Sequence, residues 1–113
     1  AFDYKIVRET VCNNTAIVNV TSEPGSIYSI SLTNSTSSAA YFKFFDLSKV
    51  IMGSSVATLV LRVDANTTTV YNIPDGFPFT NISFACTLNQ NPIDNTALTA
   101  NNGATVDVKI VCS

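Results

Sequence analysis

Along almost the whole chain, apolar residues recur at every second position and not at every third or fourth, which is the spacing of strands with one buried face. Residues 4 to 11 (YKIVRETV) interleave polar and apolar side chains, with Lys5 and Arg8 kept from a fully buried face. Residues 15 to 21 (TAIVNVT) put Ala16, Val18 and Val20 on one side, and 26 to 33 (SIYSISLT) point Tyr28, Ile30 and Leu32 inward with Ser29 and Ser31 outward. In 39 to 46 (AAYFKFFD), Phe42 and Phe44 oppose Tyr41, Lys43 and Phe45, so both faces of this strand are expected to be partly covered. Residues 56 to 63 (VATLVLRV) carry Leu59 and Leu61 on the core side. Short strands follow at 68 to 73 (TTVYNI) and 80 to 88 (TNISFACTL), and the last, 105 to 112 (TVDVKIVC), aligns Val106, Val108, Ile110 and Cys112.

Turn signals separate these runs: EPGS at 23 to 26, NSTSS at 34 to 38, DANT at 64 to 67, PDGFP at 74 to 78 and NNG at 101 to 103. Pro74 presets its own backbone dihedral, Gly76 accepts a positive one, and Asn102-Gly103 reads as a tight hairpin. Only 46 to 53 (DLSKVIMG) fits a helical turn, with Asp46 as its cap. About eight short strands with so little helical signal predict an all-β fold: a single antiparallel β-sandwich or jelly-roll-like domain over residues 1 to 113. The longest loop, 89 to 104, has the length of a functional or interacting segment.

Composition narrows the chemistry. The 113 residues suffice for one core without a metal or disulfide framework. Charged residues are only 12% of the chain, and Asn, Ser and Thr fill the gap, giving a neutral-polar surface. A net charge of -2 argues against nucleic-acid binding. The chain has no His, so a Ser/His/Asp or Cys/His arrangement is impossible, and the protein is expected not to be an enzyme. Asp64, Asp75 and Asp94 are loop carboxylates that a glycosidase pair would need, but each fits better as a turn residue bonding its own backbone. Pro92 to Thr96 offers oxygen donors for Ca²⁺ with a single carboxylate, so a solvated loop is the better reading and no cofactor is expected.

No apolar run is long enough to span a membrane and no signal peptide is recognisable; a start at Ala1 fits either a cytosolically made protein that has lost its initiator Met, the simpler reading, or processing from a precursor. Cys12, Cys86 and Cys112 lack metal-site spacing. A bridge between Cys12 and Cys112 would tie the chain ends together, but buried reduced thiols are preferred. Asn-x-Ser/Thr sequons begin at Asn13, Asn19, Asn34, Asn66 and Asn81, most of them accounted for by the abundance of these residues. Phe77 and Phe79 either form an exposed patch or close the end of the core, the latter being preferred, and Tyr41 with Phe45 fits equally a closure of the core or a second apolar face of the kind a subunit contact has.

Four segments, YFKFFDLSKV at 41 to 50, VATLVLRV at 56 to 63, IPDGFPFTNISFAC at 73 to 86 and DNTALTANNGATVDVKIV at 94 to 111, resemble small β-sandwich virion proteins of tailed bacteriophages. The resemblance implies a capsid decoration (cement) or head-fibre protein, made in the host cytoplasm and located on the capsid exterior. Its implied partners are the major capsid protein and neighbouring copies of itself, in a homotrimer if it follows the local three-fold common among such proteins, with no nucleic acid and no membrane involved. Two contact regions are expected on this reading. One is the N-terminal segment, with Ala1, Phe2, Asp3, Tyr4 and Lys5, because a terminus can add a strand to a neighbouring sheet edge. The other is the loop at 89 to 104, with Asn91, Pro92, Ile93, Asp94, Asn95 and Thr96; Tyr41 and Phe45 are separate interface candidates on their strand. The alternative is a carbohydrate- or receptor-binding module of a fibre, tail or secreted adhesin that uses the same loop and Tyr28, Tyr41 or Tyr71.

Overall fold

The computed structural model describes residues 4–18, 20–98 and 105–113. Seven strands form two antiparallel sheets: β1 (Lys5–Cys12), β2 (Gly25–Asn34), β3 (Ala40–Phe45), β4 (Leu59–Val63), β5 (Thr67–Phe79), β6 (Ser83–Thr87) and β7 (Val106–Cys112). One sheet has the order β1-β7-β2-β5 and the other β4-β3-β6. The expected all-β sandwich is therefore the fold. Between the sheets, Ile30, Leu32, Val106, Val108 and Ile110 from the larger meet Phe42, Phe44, Phe84 and Cys86 from the smaller in one core. The inward parity expected for β7 holds throughout, with Val106, Val108, Ile110 and Cys112 all fully buried.

Aromatic side chains pack both within the smaller sheet and across to the larger one. Phe42 and Phe84 lie with ring centroids 5.8 Å apart, and Phe44 meets Phe77 edge-on at 5.9 Å and Phe79 at 6.3 Å. Phe77 and Phe79 thus close one end of the core and form no exposed patch.

Three expectations change for a physical reason. Among the described residues of 15 to 21, which leave out 19, no eighth strand forms; a single bridge joins Ile17 to Phe84, and the Val20 N–H bonds the Ile82 carbonyl just before β6. Ile17 packs against the core while Val18 and Val20 are exposed, so the buried face is the opposite of the one the alternation suggested. The PDG stretch is no chain reversal but a bulge inside β5, where Asn72 to Phe77 is matched only by Ser29 to Ile27. Gly76 takes a φ of 80° there, and Pro74 is tolerated because β5 is an edge strand. The shift also moves Ile27 into the core, leaving Tyr28 partly exposed. Residues 46 to 53 form bends and turns without helix. The Asn102-Gly103 hairpin lies outside the described residues.

The crossing from β2 to β3 depends on Asn34, 1% exposed. Its amide donates to the carbonyls of Ser38 at 2.9 Å and Val63 at 3.3 Å, and its oxygen accepts from the Thr36 N–H at 2.9 Å and hydroxyl at 2.6 Å. The Asn and Thr of this sequon are thus spent on each other inside the protein, and the side chain is no glycan acceptor in the folded state. Replacing Asn34 with Ala strips partners from several buried polar groups at once. The expected outcome is a loss of about 2–3 kcal/mol in urea unfolding with an unchanged m-value.

Candidate functional site

β3 is buried almost completely on both sides, which a strand in an outer sheet achieves only if something covers its far face. The cover comes from the chain's own loops. After β3 the chain folds back through residues 46 to 58, fixed by Asp46, whose carboxylate accepts the N–H groups of Thr80 at 2.9 Å and Asn81 at 2.7 Å. The Ser83 hydroxyl donates to the Leu47 carbonyl at 2.6 Å. From the other side comes the 89–96 loop, and the Ala57 N–H to Pro92 carbonyl bond, 3.1 Å, joins the two. Together they roof the three-stranded sheet.

Beneath this roof lies Lys43, fully buried. Its ammonium donates to the carbonyl of Asn91 at 2.6 Å and that of Asp94 at 2.9 Å. Burial pulls the Lys43 amine below its ordinary value, partly offset by the nearby Asp94 carboxylate. Burial also works against ionisation of Asp94, but it is outweighed there. Hydrogen bonds from the Thr96 hydroxyl and N–H and from the Asn89 amide, with the Lys43 charge behind them, hold the carboxyl below the usual range.

Where the roof ends, Tyr41 and Arg62 border an open groove of about 700 Å³, lined also by Val60, Gln90, Asn91 and Pro92. A second depression of about 600 Å³ shares Tyr41, Arg62, Gln90 and Asn91 and extends past Asn89 and Leu88. Arg62 lies over the Tyr41 ring, 5.9 Å from its centroid, donates to the Tyr41 hydroxyl at 3.1 Å, and is held by Asp64 at 2.8 Å. The groove therefore offers an aromatic ring with its hydroxyl, a guanidinium and side-chain amides. Among the described residues no cluster of His, Cys, Asp and Glu is able to hold a metal ion.

Of the candidate contact residues, Tyr41 and Asn91 to Thr96 come together at the roof and its groove. Phe45 does not join them as an exposed contact: at 1% exposure it is buried, so its part of the second face of β3 is covered within the chain. Tyr4 is 60% exposed at the head of β1, and Lys5 pairs with Glu23. Both belong to the other sheet, and Ala1, Phe2 and Asp3 lie outside the described residues. Asp64, Asp75 and Asp94 sit on three different segments, Asp64 engaged by Arg62 and Asp94 by its own loop. Periodicity did not single out Arg62 and Gln90, and it left the role of Lys43 unseen. The signal for Lys43 was a lysine between four aromatic residues in YFKFF.

Fold and site together define a small two-sheet β-sandwich with a loop-built roof over one face. Comparison of the chain with protein-family models, with curated proteins and with solved structures finds no match.

Two outcomes test the roof. Lys43→Met leaves the Asn91 and Asp94 carbonyls without their donor, and the expected effect is a loss of about 1–3 kcal/mol. Hydrogen exchange should quicken at the Ala57 and Leu88 amides, bonded to the Pro92 and Thr96 carbonyls, while Phe84 in the core stays protected. For Asp94, the folded state favours the ionised form, so its stabilisation is fully present above the ordinary value of 3.8 and is lost as pH falls through the lowered folded value. Unfolding curves from pH 7 down to about 2.5 should show Asp94→Asn losing less stability over that acid range than the unaltered chain.

Proposed function

We propose that this protein is a non-enzymatic binding module that attaches to a larger protein assembly, and specifically a decoration protein on the outer surface of a phage capsid. The observation that carries the binding reading is where exposed apolar side chains gather. Leu47, Ile51, Val56 and Ile93, 39–61% exposed, all lie on the two roof loops, which the Ala57–Pro92 bond holds side by side. Tyr4, Ile6 and Val11 are 54–60% exposed on β1, an edge strand whose outer side pairs with no described strand. Anchoring by Lys43 and Asp46 gives the loops a fixed shape before any partner arrives, which lowers the ordering cost of binding. The capsid and the neighbouring copies as partners rest on the four sequence segments named above. The low charge of the surface is compatible with dense packing of copies on a shell.

A second reading draws on the groove. A partly exposed tyrosine ring flanked by Gln90, Asn91 and a guanidinium suits the apolar face and hydroxyl groups of a saccharide.

The discriminating experiment titrates the purified chain onto capsids that lack it and, in parallel, onto a glycan array. Saturable attachment at high copy number per particle with a silent array is expected. Ile51→Asp, and removal of residues 1 to 5, should each weaken attachment about tenfold or more without lowering Tm by more than a few degrees. A handful of copies per virion, or array binding lost in Tyr41→Ala, would replace the decoration role with a tail, fibre or saccharide-binding one.

A further inference from the structure

Two of the three thiols meet inside the sandwich. The bulge between Glu9 and Cys12 turns the last residue of β1 inward, and Cys86 points into the same core from β6 in the opposite sheet. They are 2% and 0% exposed and share one core cluster, where the Cys12 thiol adds to burial in disfavouring the Cys86 thiolate. The backbone holds them there: the Cys86 N–H donates to the Asn13 carbonyl at 2.8 Å, and Ile17 and Phe84 exchange both of their backbone bonds at 2.9 Å. Cys112 is elsewhere. It stands opposite Lys5, at the other end of β1 from Cys12, so the bridge between Cys12 and Cys112 considered from the sequence is ruled out by the register.

The two core thiols differ in access. A depression of about 150 Å³, lined by Val11, Cys12, Asn13, Ala97, Leu98 and others, reaches Cys12 from the surface. Cys86 lies behind it, and burial pushes its thiol well above the ordinary value.

We propose that Cys12 and Cys86 form an oxidative modification site that closes to a disulfide joining the two sheets, with a peroxide as oxidant and Cys112 left as a thiol. Hydrogen peroxide is small enough for the depression at Cys12. The Cys12 Sγ, its proton released, attacks one peroxide oxygen. The O–O bond breaks, the departing hydroxide takes up a proton to leave as water, and Cys12 becomes a sulfenic acid. The Cys86 Sγ then attacks the Cys12 Sγ, the S–O bond breaks, and the oxygen departs as a second water with the proton from Cys86. The two thiols together lose two electrons and the peroxide gains them. The bridge would close the long stretch between residues 12 and 86, restricting the unfolded chain far more than the folded one.

Trypsin places the three cysteines on separate peptides, 9–43, 63–109 and 110–113, so a mass map assigns any link without ambiguity. The native chain is treated with hydrogen peroxide, and the remaining thiols are then alkylated in denaturant. The expected product has one alkylated thiol, on 110–113, with 9–43 joined to 63–109, and a Tm higher by about 10 °C or more that returns to its starting value on reduction. Cys112→Ser should form the same link. Cys86→Ser should stop at a Cys12 sulfenic acid that dimedone captures. Three alkylated thiols after treatment, a link involving Cys112, or dimedone capture at Cys86 in the unaltered chain would each overturn the proposal. If Cys86→Ser does not fold, the peptide map of the unaltered chain and of Cys112→Ser decides alone.

Discussion

A buried ammonium group governs the shape of this protein outside its core. Lys43 sits in the middle of β3, on the face turned away from the other sheet, where its long side chain has no room to reach bulk water once the loops are in place. A charge in that position is costly unless oxygen atoms surround it. The chain supplies them from its own backbone, by laying the 89–96 loop across the sheet so that two carbonyls point at Nζ. The loop is held where the charge needs it, and the charge is tolerable where the loop lies. Neither makes sense without the other, and Phe45, the groove wall at Gln90 and Asn91, and the exposure of Ile93 all follow from the pair.

The same arrangement divides the molecule into surfaces of different character. The outer face of the larger sheet carries Ser31, Thr33 and Thr68, with the Thr33 and Thr68 hydroxyls bonded to each other at 3.1 Å and Arg8 paired to Asp107 beside them. The outer face of the smaller sheet is covered along most of β3 and β6 and open only at the groove beside Tyr41 and Arg62, and its loops present the apolar side chains instead. A two-sheet sandwich normally keeps its polar face outward on both layers. Here one layer has exchanged that face for a fixed roof, so function, if it lies in binding, is carried by loops whose conformation the core enforces.

Cys12, Cys86 and Cys112 show how one residue type takes different positions in such a fold. Cys112 fills space at the inner end of β7 as a small hydrophobe does. The other two are neighbours because the chain after β1 leaves the larger sheet and runs along β6 of the smaller one. That crossing is set by the backbone bonds of Asn13, Ile17 and Val20 to Cys86, Phe84 and Ile82, in a stretch whose alternation reads as an ordinary strand.

Sequence alone determined the all-β class, the inward residues of β3 and β7, and the double coverage of β3, because strand parity and the apolar content of each face are local properties of neighbouring residues. Tertiary structure decided what local pattern has no means to express: which sheet a strand joins, what covers a face, and where parity breaks. The bulges at Ile27 and before Cys12 reversed the facing of Tyr28 and brought Cys12 inward, because an extra residue in one strand is visible only against its partner. Phe45 looked like a contact residue because a strand carries no record of a loop more than forty residues away folding over it. The meeting of Lys43 with Asn91 and Asp94 is a long-range balance between desolvation and hydrogen bonding, and only the folded chain brings its two sides together.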